Sequence, residues 1–484
     1  MKPVVTCIVS ALLTMTAVAQ HGALRTHPEV ASTIDLLERW IAATMEDRGT
    51  PGLVIAAVHD SETVWVRAFG FADLERKLPM TGTTIFRMAS ITKTFTATAT
   101  MILRDEGKLR LDDPVVQYLP WFSLRGMQPE EPVVTVRHLL LHISGLPREA
   151  AFPYWTDHVF PTREQIRQTL PEQAMIYPPE THYKYSNLGI ALLGEVVAAA
   201  AGEPYEQFIR ERILQPLGMH STSVFLREDQ LKRLSTGYGR RMPDGTRAVS
   251  PMTEARGLAP AANISSSVED MARYAAFHLS EDSTRPGQIL RASTLREMHR
   301  VQWINPGWKS GRGLGFSVRK TDPRVRVGHD GWVAGQRSTL LLSPAEKTAV
   351  VVMANADDAD PGLIAGRALA MLAPAFQEAL RSPSPPSPPP ADWQPLLGTY
   401  IDPWGWRSDV MLYHGRLVLY DYSYPPEEDP TQSLTDLLPE GEHTFRMGGA
   451  NGNGELVHVE FDPDGRVVRL KVGENYTYPA RSSE

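Results

Sequence analysis

The sequence predicts an α/β protein of more than one domain, ending in a separate all-β region. Three observations carry this. A strand-like hairpin near the N-terminus and a set of short apolar strands after residue 313 are separated by a long, mostly helical stretch. The run Ser382-Pro383-Ser384-Pro385-Pro386-Ser387-Pro388-Pro389-Pro390 can form neither helix nor sheet and reads as an extended spacer. Beyond it only strand and turn patterns occur. At 484 residues the chain is also too long for a single compact core.

The first residues read as a secretory signal peptide over 1–19. Lys2 supplies the charge, Val4 to Val18 the apolar run, and Ala17-Val18-Ala19 a small-residue cleavage site. This places the mature chain in the periplasm or outside the cell, with no stable membrane span after cleavage; an uncleaved anchor is the alternative. The single cysteine, Cys7, lies inside this segment, so the mature chain has no disulfide, thiolate metal site or cysteine nucleophile. A net formal charge of −7 with no basic patch argues against nucleic acid as a partner.

Ile34, Leu37, Trp40, Ile41 and Met45 recur at helical spacing, giving an amphipathic helix over 33–48 that Thr50-Pro51-Gly52 ends. Leu53 to Val58 and Thr63 to Phe69 form the hairpin. A helix follows over 90–106, favoured by Ala97, Met101, Ile102 and Leu103 and stopped by Gly107. The alternating Thr92, Thr94, Thr96, Thr98 and Thr100 speak against it locally, because threonine is a weak helix former. Helices are expected over 136–142, 187–201 (stopped by Gly202) and 268–279. Strands follow at 314–318, 325–328, 338–342 and 349–353, then a helix over 363–380. In the last part, 409–412 with 417–420 and 457–461 with 467–472 read as hairpins of a small barrel or sandwich.

The chemistry centres on Ser90-x-x-Lys93. Residues three apart share a helix face, about 5–6 Å apart at Cβ, and a serine needs a neighbouring base to attack at neutral pH. A desolvated lysine loses its proton more easily and becomes such a base. The motif also arises by chance, and a second copy, Ser317 to Lys320, sits in a strand pattern, where residues three apart point to opposite faces. Tyr185-Ser186-Asn187 precedes the helix over 187–201. Its phenol can pass a proton and its amide can hold an amine or a carbonyl; the plainer reading is a helix-entry aromatic with Asn187 as cap. Gly328-His329-Asp330-Gly331-Trp332 ends a strand, where glycine permits close backbone approach, or simply makes a turn. Lys309-Ser310-Gly311 is a rival for this third motif.

Taken together, Ser-x-x-Lys, Tyr-x-Asn and a Lys/His-x-Gly box in that order resemble the serine β-lactamase and penicillin-binding-protein superfamily. The nearest branch is the class C β-lactamase-related group, with family VIII carboxylesterases, D-aminopeptidases and DD-peptidases. Phe86 to Lys93, His138 to Pro147, Tyr185 to Gly189 and Gly328 to Gly331 carry the likeness, which covers roughly residues 30–375. It implies an antiparallel sheet flanked by helices, the β-lactamase/transpeptidase-like fold, with a mostly helical insertion at about 75–260. The hydrolase domain would cover 20–380, the linker 381–390, and a lipocalin-like β-domain 391–484. It implies Ser90 as nucleophile, Lys93 and Tyr185 as its proton-transfer partners, and Asn187 orienting Lys93 and substrate. The backbone N–H groups of Ser90 and Trp332 would form the oxyanion hole, with His329, Gly331 and Trp332 binding substrate. No metal or cofactor is implied.

His329 and Asp330 depart from the lysine and hydroxyl that this box holds in β-lactamases. An acidic Asp330 is unfavourable for an anionic substrate unless strand alternation turns it away. Arg337 is an alternative carboxylate ligand. The expected function is a secreted serine hydrolase that cleaves an amide or ester through a Ser90 acyl-enzyme. D-amino-acid peptides, including peptidoglycan-derived ones, β-lactams and small esters are the candidate substrates. The competing reading is a non-catalytic, penicillin-binding-like protein that binds cell wall or scaffolds a partner. The chain lacks G-x-S-x-G and H-E-x-x-H, which disfavours an α/β-hydrolase esterase and a zinc peptidase.

Overall fold

The hairpin near the N-terminus forms as the alternation demands, but it does not stand alone. Strands β1 (Gly52–His59) and β2 (Glu62–Asp73) pair antiparallel, the turn eased by a left-handed Asp60 at φ 51°. Every residue of β1 is buried, because a strand from the far end of the domain, β11 (Thr348–Ala354), pairs along its other edge from Leu53–Ala354 to His59–Thr348. The computed structural model describes residues 24–127, 133–282, 284–285, 287–321, 324–382 and 388–480. The leader read at 1–19 lies outside them, as do 383–387 of the Ser/Pro run. The described chain divides into two compact units, one over Thr50–Leu369 and one that combines the chain up to Gly49 with the chain from Ala370.

The first unit holds one nine-stranded antiparallel sheet. In spatial order it runs β3 (Leu78–Pro79), β2, β1, β11, β10 (Gln336–Ser343), β9 (Arg324–Val333), β8 (Ser317–Thr321), β7 (Ser310–Arg312) and β6 (Trp303–Ile304). The sheet is thus closed in sequence only by bringing the N-terminal hairpin against strands almost 300 residues later. Between the two sets lie helices Thr92–Asp105, Val136–Leu141, Asn187–Ala201 and Val268–Leu279. One continuous core joins the inner face of the sheet to these helices through Val54, Phe95, Met101, Leu188, Met271 and Val351. This is the sheet-and-helix arrangement with a helical insertion that the resemblance implied. A two-stranded ribbon of β4 (Phe86–Arg87) and β5 (Ser265–Ser266) ties the chain before Ser90 to the end of the insertion.

The threonine conflict resolves in favour of helix. Thr94, Thr98 and Thr100 return their hydroxyls to the carbonyls of Ile91, Thr94 and Thr96 at 2.8–2.9 Å. Tyr205 and Tyr274 meet the hydroxyls of Thr96 and Thr98. The polar atoms are therefore satisfied inside a buried helix. The second Ser-x-x-Lys copy lies on β8, as its pattern indicated.

In the second unit, eight antiparallel strands close into a barrel. They are β12 (Gly398–Ile401), β13 (Arg407–Tyr413), β14 (Arg416–Asp421), β15 (Leu434–Gly441), β16 (Thr444–Gly448), β17 (Leu456–Phe461), β18 (Val467–Val472) and β19 (Asn475–Pro479). Tyr400, Val410, Leu417, Phe445, Val457 and Leu470 fill its interior. Both expected hairpins are present, and the closed barrel is consistent with a lipocalin-like domain. The amphipathic helix near the N-terminus, Pro28–Arg48, falls in this unit. Arg39 pairs with the fully buried Asp409 of β13, and Trp40 donates its indole N–H to the Glu427 carbonyl at 2.7 Å. Such partners, more than 350 residues away, leave no local signal.

Candidate active site

The backbone around Ser90 is fixed before its side chain is considered. Met88 N donates to the Ile264 carbonyl at 2.8 Å, an extension of the β4–β5 ribbon. Ala89 then takes a left-handed φ of 45°, a strained conformation for a residue with a Cβ. Ser90 follows in a 3₁₀ turn, Ala89–Ile91, and the helix proper starts at Thr92. The helix therefore begins two residues later than its sequence indicated, and the serine sits on the sharp turn that leads into it.

Three polar side chains converge. Lys93 Nζ donates to Ser90 Oγ at 3.0 Å and to the Ala261 carbonyl at 2.8 Å. Tyr185 OH donates to Ser90 Oγ at 2.8 Å. Lys93 is 1 % exposed. Desolvation lowers its pKa to about 7; Glu149 opposes this and Arg148 adds to it. Tyr185 is shifted the other way, to about 12, again chiefly by burial. At neutral pH this gives an amine of which about half is free base, beside a phenol that keeps its proton.

The segment 138–149 builds the wall behind Tyr185. Thr135 caps helix Val136–Leu141, and His142 ends it in a left-handed conformation at φ 59°. The His142 ring stacks on Tyr185 at 4.5 Å, and its Nδ1 accepts the Ser186 N–H at 3.1 Å. Burial holds His142 neutral. Ser186, not Asn187, caps helix Asn187–Ala201.

Asn187 lies in the cleft but does not engage Lys93. Its Nδ2 donates to Glu149 Oε1 at 2.8 Å and Oε2 at 3.1 Å. Among the described residues its Oδ1 has no hydrogen-bond partner. The orienting contact that the resemblance implied between Asn187 and Lys93 is thus replaced by one to Glu149, whose carboxylate also takes the Tyr154 hydroxyl. Arg148 lies over the Tyr185 ring at 5.0 Å, and Arg312 over the Tyr183 ring at 4.3 Å.

The third box runs through β9 instead of turning. Gly331 stands opposite Ser338 on β10, and both meet the backbone of Met88. A Cβ on Gly331 would lie 2.2 Å from the Met88 carbonyl oxygen, so only glycine lets the strand approach the Ser90 turn. His329 shares that face, with its ring 6.4 Å from that of Tyr185. Desolvation and the Lys93 charge lower its pKa to about 3, so it is neutral at physiological pH. Asp330 borders the cleft, but its carboxylate accepts from Thr339 Oγ1 at 2.8 Å, on the opposite face of the sheet. Arg337 stands opposite Trp332 in the β9–β10 pair but does not line the cleft that holds Ser90. Lys309-Ser310-Gly311 does not supply the box; its neighbour Arg312 is the residue that reaches the site.

Ser90, Arg148, Glu149, Tyr185, Asn187 and Gly331 are among the residues lining a cleft of about 610 Å³ that also includes Trp155, Ala262 and Trp332. Arg148, Glu149, Trp155 and Arg312 carry no motif that marks them in the sequence; only the proximity of Arg148 and Glu149 to the His138–Pro147 segment hints at them. Among the described residues no group of three or more His, Cys, Asp or Glu side chains could hold a metal ion.

A sheet-and-helix domain with a buried Lys93 beside Ser90, Tyr185 on the same hydroxyl and a glycine-bearing strand against the serine turn is the arrangement that the resemblance implied. The model of the Beta-lactamase family matches residues 37–374, and the chain belongs to that family. Among curated relatives, Beta-lactamase-like protein 2 of Dictyostelium discoideum is 35 % identical over 58 % of this chain and 51 % of its own length, so the chain spans about half of that relative. The D-alanyl-D-alanine-carboxypeptidase/endopeptidase AmpH of Escherichia coli is 30 % identical over 60 % of this chain and 74 % of its own. Penicillin-binding protein 4 of Amycolatopsis lactamdurans is 28 % identical over 75 % and 96 %. The solved octameric penicillin-binding protein homologue from Pyrococcus abyssi superposes with a TM-score of 0.60 at 25 % identity, over 92 % of this chain and 99 % of that one.

Proposed function

We propose that the protein is a serine hydrolase that cleaves an amide or ester through an acyl-enzyme on Ser90. The observation that carries this is the convergence of Lys93 Nζ and Tyr185 OH on Ser90 Oγ, with Lys93 held near pKa 7. Neutral Lys93 takes the Ser90 proton as the Oγ–C bond forms and the carbonyl electrons move onto oxygen. The backbone N–H groups of Ser90 and Trp332 stabilise that oxyanion. As the tetrahedral adduct collapses, the C–N or C–O bond breaks. Tyr185 gives its proton to the leaving group and regains one from Lys93. Water attacks the acyl-enzyme, its proton passes to the same pair and on to Ser90 Oγ, and a carboxylate is released.

His329 is neutral, so it supplies no charge for an anionic substrate. Arg148, in its pair with Glu149, and Arg312 over Tyr183 are the guanidinium groups near Ser90 that a substrate carboxylate can meet, as in peptides ending in a free carboxylate and in β-lactams. The names of two relatives, a D-alanyl-D-alanine-carboxypeptidase and a penicillin-binding protein, point the same way. Small esters are the remaining class. A role outside the cytoplasm, after removal of the leader read at 1–19, belongs to this proposal.

Intact-protein mass spectrometry after exposure to a penicillin and to p-nitrophenyl acetate, on the parent and Ser90→Ala, tests it. An adduct or turnover in the parent alone supports the proposal. Equal behaviour of the two proteins overturns it in favour of non-catalytic binding.

A further inference from the structure

We infer that Trp155 and Trp332 form a stacking subsite at the mouth of the cleft, and that it selects substrates carrying a planar aromatic group beside the scissile carbonyl. This inference rests on the reading of Ser90 as nucleophile and adds the substrate class.

The two indoles come from opposite sides of the cleft. Trp155 belongs to the short helix Tyr154–Asp157 in the helical part, and Trp332 to β9 of the sheet. Their rings stack at 5.7 Å with 29° between the planes, and both border the same cleft as Ser90. Each is held from behind. Trp332 Nε1 donates to Asp357 Oδ1 at 2.9 Å, and the same oxygen takes the Gly335 N–H at 2.8 Å. Trp155 meets the edge of Phe160 at 5.4 Å and lies against Tyr154 at 5.6 Å.

Despite these anchors, Trp155 is 39 % and Trp332 48 % exposed. Large aromatic side chains contribute most when their area is covered, so a fixed and open pair in a reactive cleft is surface kept for a ligand. Because the rings are already oriented, a planar group that stacks on them orders little of the protein. A flexible aliphatic chain gains less from such a surface, since offset stacking needs a flat partner.

The test compares reversible serine-directed inhibitors, benzylboronic acid and methylboronic acid, as Ki ratios on the parent, Trp155→Ala and Trp155→Phe. Labelling of Ser90 by a small alkyl fluorophosphonate is measured on all three. The expected result is at least a tenfold preference for the benzyl compound in the parent, a ratio within about threefold of unity in Trp155→Ala, and a largely kept preference in Trp155→Phe. A labelled parent without aromatic preference, or a preference unchanged in a labelled Trp155→Ala, overturns the subsite and leaves the hydrolase proposal standing. If the parent is not labelled at Ser90, the hydrolase proposal fails and the subsite falls with it.

Discussion

Lys93 Nζ stands 3.0 Å from Ser90 Oγ, and burial brings its pKa down to about 7. Lys93 acts only as the free base, so acylation of Ser90 is expected to rise with pH through an apparent pKa near 7 and to level off above it. Tyr185, raised to about 12, keeps its proton throughout that range. The pH dependence of fluorophosphonate labelling rates from pH 5 to 9 checks this. A flat profile counts against Lys93 as the base.

Arg148 and Glu149 are adjacent in sequence and opposite in effect. The guanidinium lowers the Lys93 pKa and the carboxylate raises it. Arg148→Met should therefore move the acid limb of that profile upward, and Glu149→Gln should move it downward. Labelling profiles of the two variants give the answer, and shifts in the same direction refute the assignment.

The same burial costs stability. The folded pKa of Lys93 lies below the value of about 10.4 for a free lysine. Between pH 7 and 10.4 the unfolded chain holds the extra proton, so the Lys93 contribution to stability rises with pH across that window. Lys93→Met removes the dependence. It should stabilise the fold at pH 7 by about 1–3 kcal/mol, less than the desolvation alone because the bond to the Ala261 carbonyl is lost, while abolishing acylation. Urea titrations at pH 7 and pH 10 on both proteins measure the difference.

Gly331 allows β9 to pass the Ser90 turn. Gly331→Ala places a Cβ 2.2 Å from the Met88 carbonyl oxygen and 2.4 Å from Ser338 Oγ. The first clash is with backbone, so the strand must move. A loss of about 1–3 kcal/mol in stability and at least a hundredfold in Ser90 labelling is expected. Unchanged labelling would show that the approach of β9 does not set the site.

In the second unit, Arg39→Ala leaves the buried Asp409 with the Tyr422 hydroxyl, at 2.8 Å, among its remaining partners. Removing one member of a buried ion pair costs about 3–5 kcal/mol. Denaturant unfolding that follows the barrel should report a loss near the lower end of that range, and a loss under 1 kcal/mol would mean that the pair does not hold helix Pro28–Arg48 in this unit.

How much of this the sequence made legible follows from the range of each interaction. Ser90 and Lys93 are three apart on a helical turn, so periodicity alone brought them together. The helices over 187–201 and 268–279 carry their own caps in Ser186 and Ser267 and stop where local chemistry stops them. Tyr185 reaches Ser90 across 95 residues, and only the order of motifs suggested the meeting. Nothing in the sequence places Glu149 beside Asn187, 38 residues away, so their contact has no local signal. The sequence pattern ends the strand at Gly328, since glycine also signals a turn, whereas β9 runs on through Gly331, whose missing Cβ makes room for the Met88 backbone. The docking of helix Pro28–Arg48 beside the barrel rests on Arg39 and Asp409, which are 370 residues apart.

The most direct measurement is intact-protein mass spectrometry of the parent and Ser90→Ala after incubation with a fluorophosphonate. The account predicts one adduct per parent chain, mapped by peptide sequencing to Ser90, and none on Ser90→Ala. Folded parent that gains no adduct, or an adduct that persists in Ser90→Ala, would contradict it.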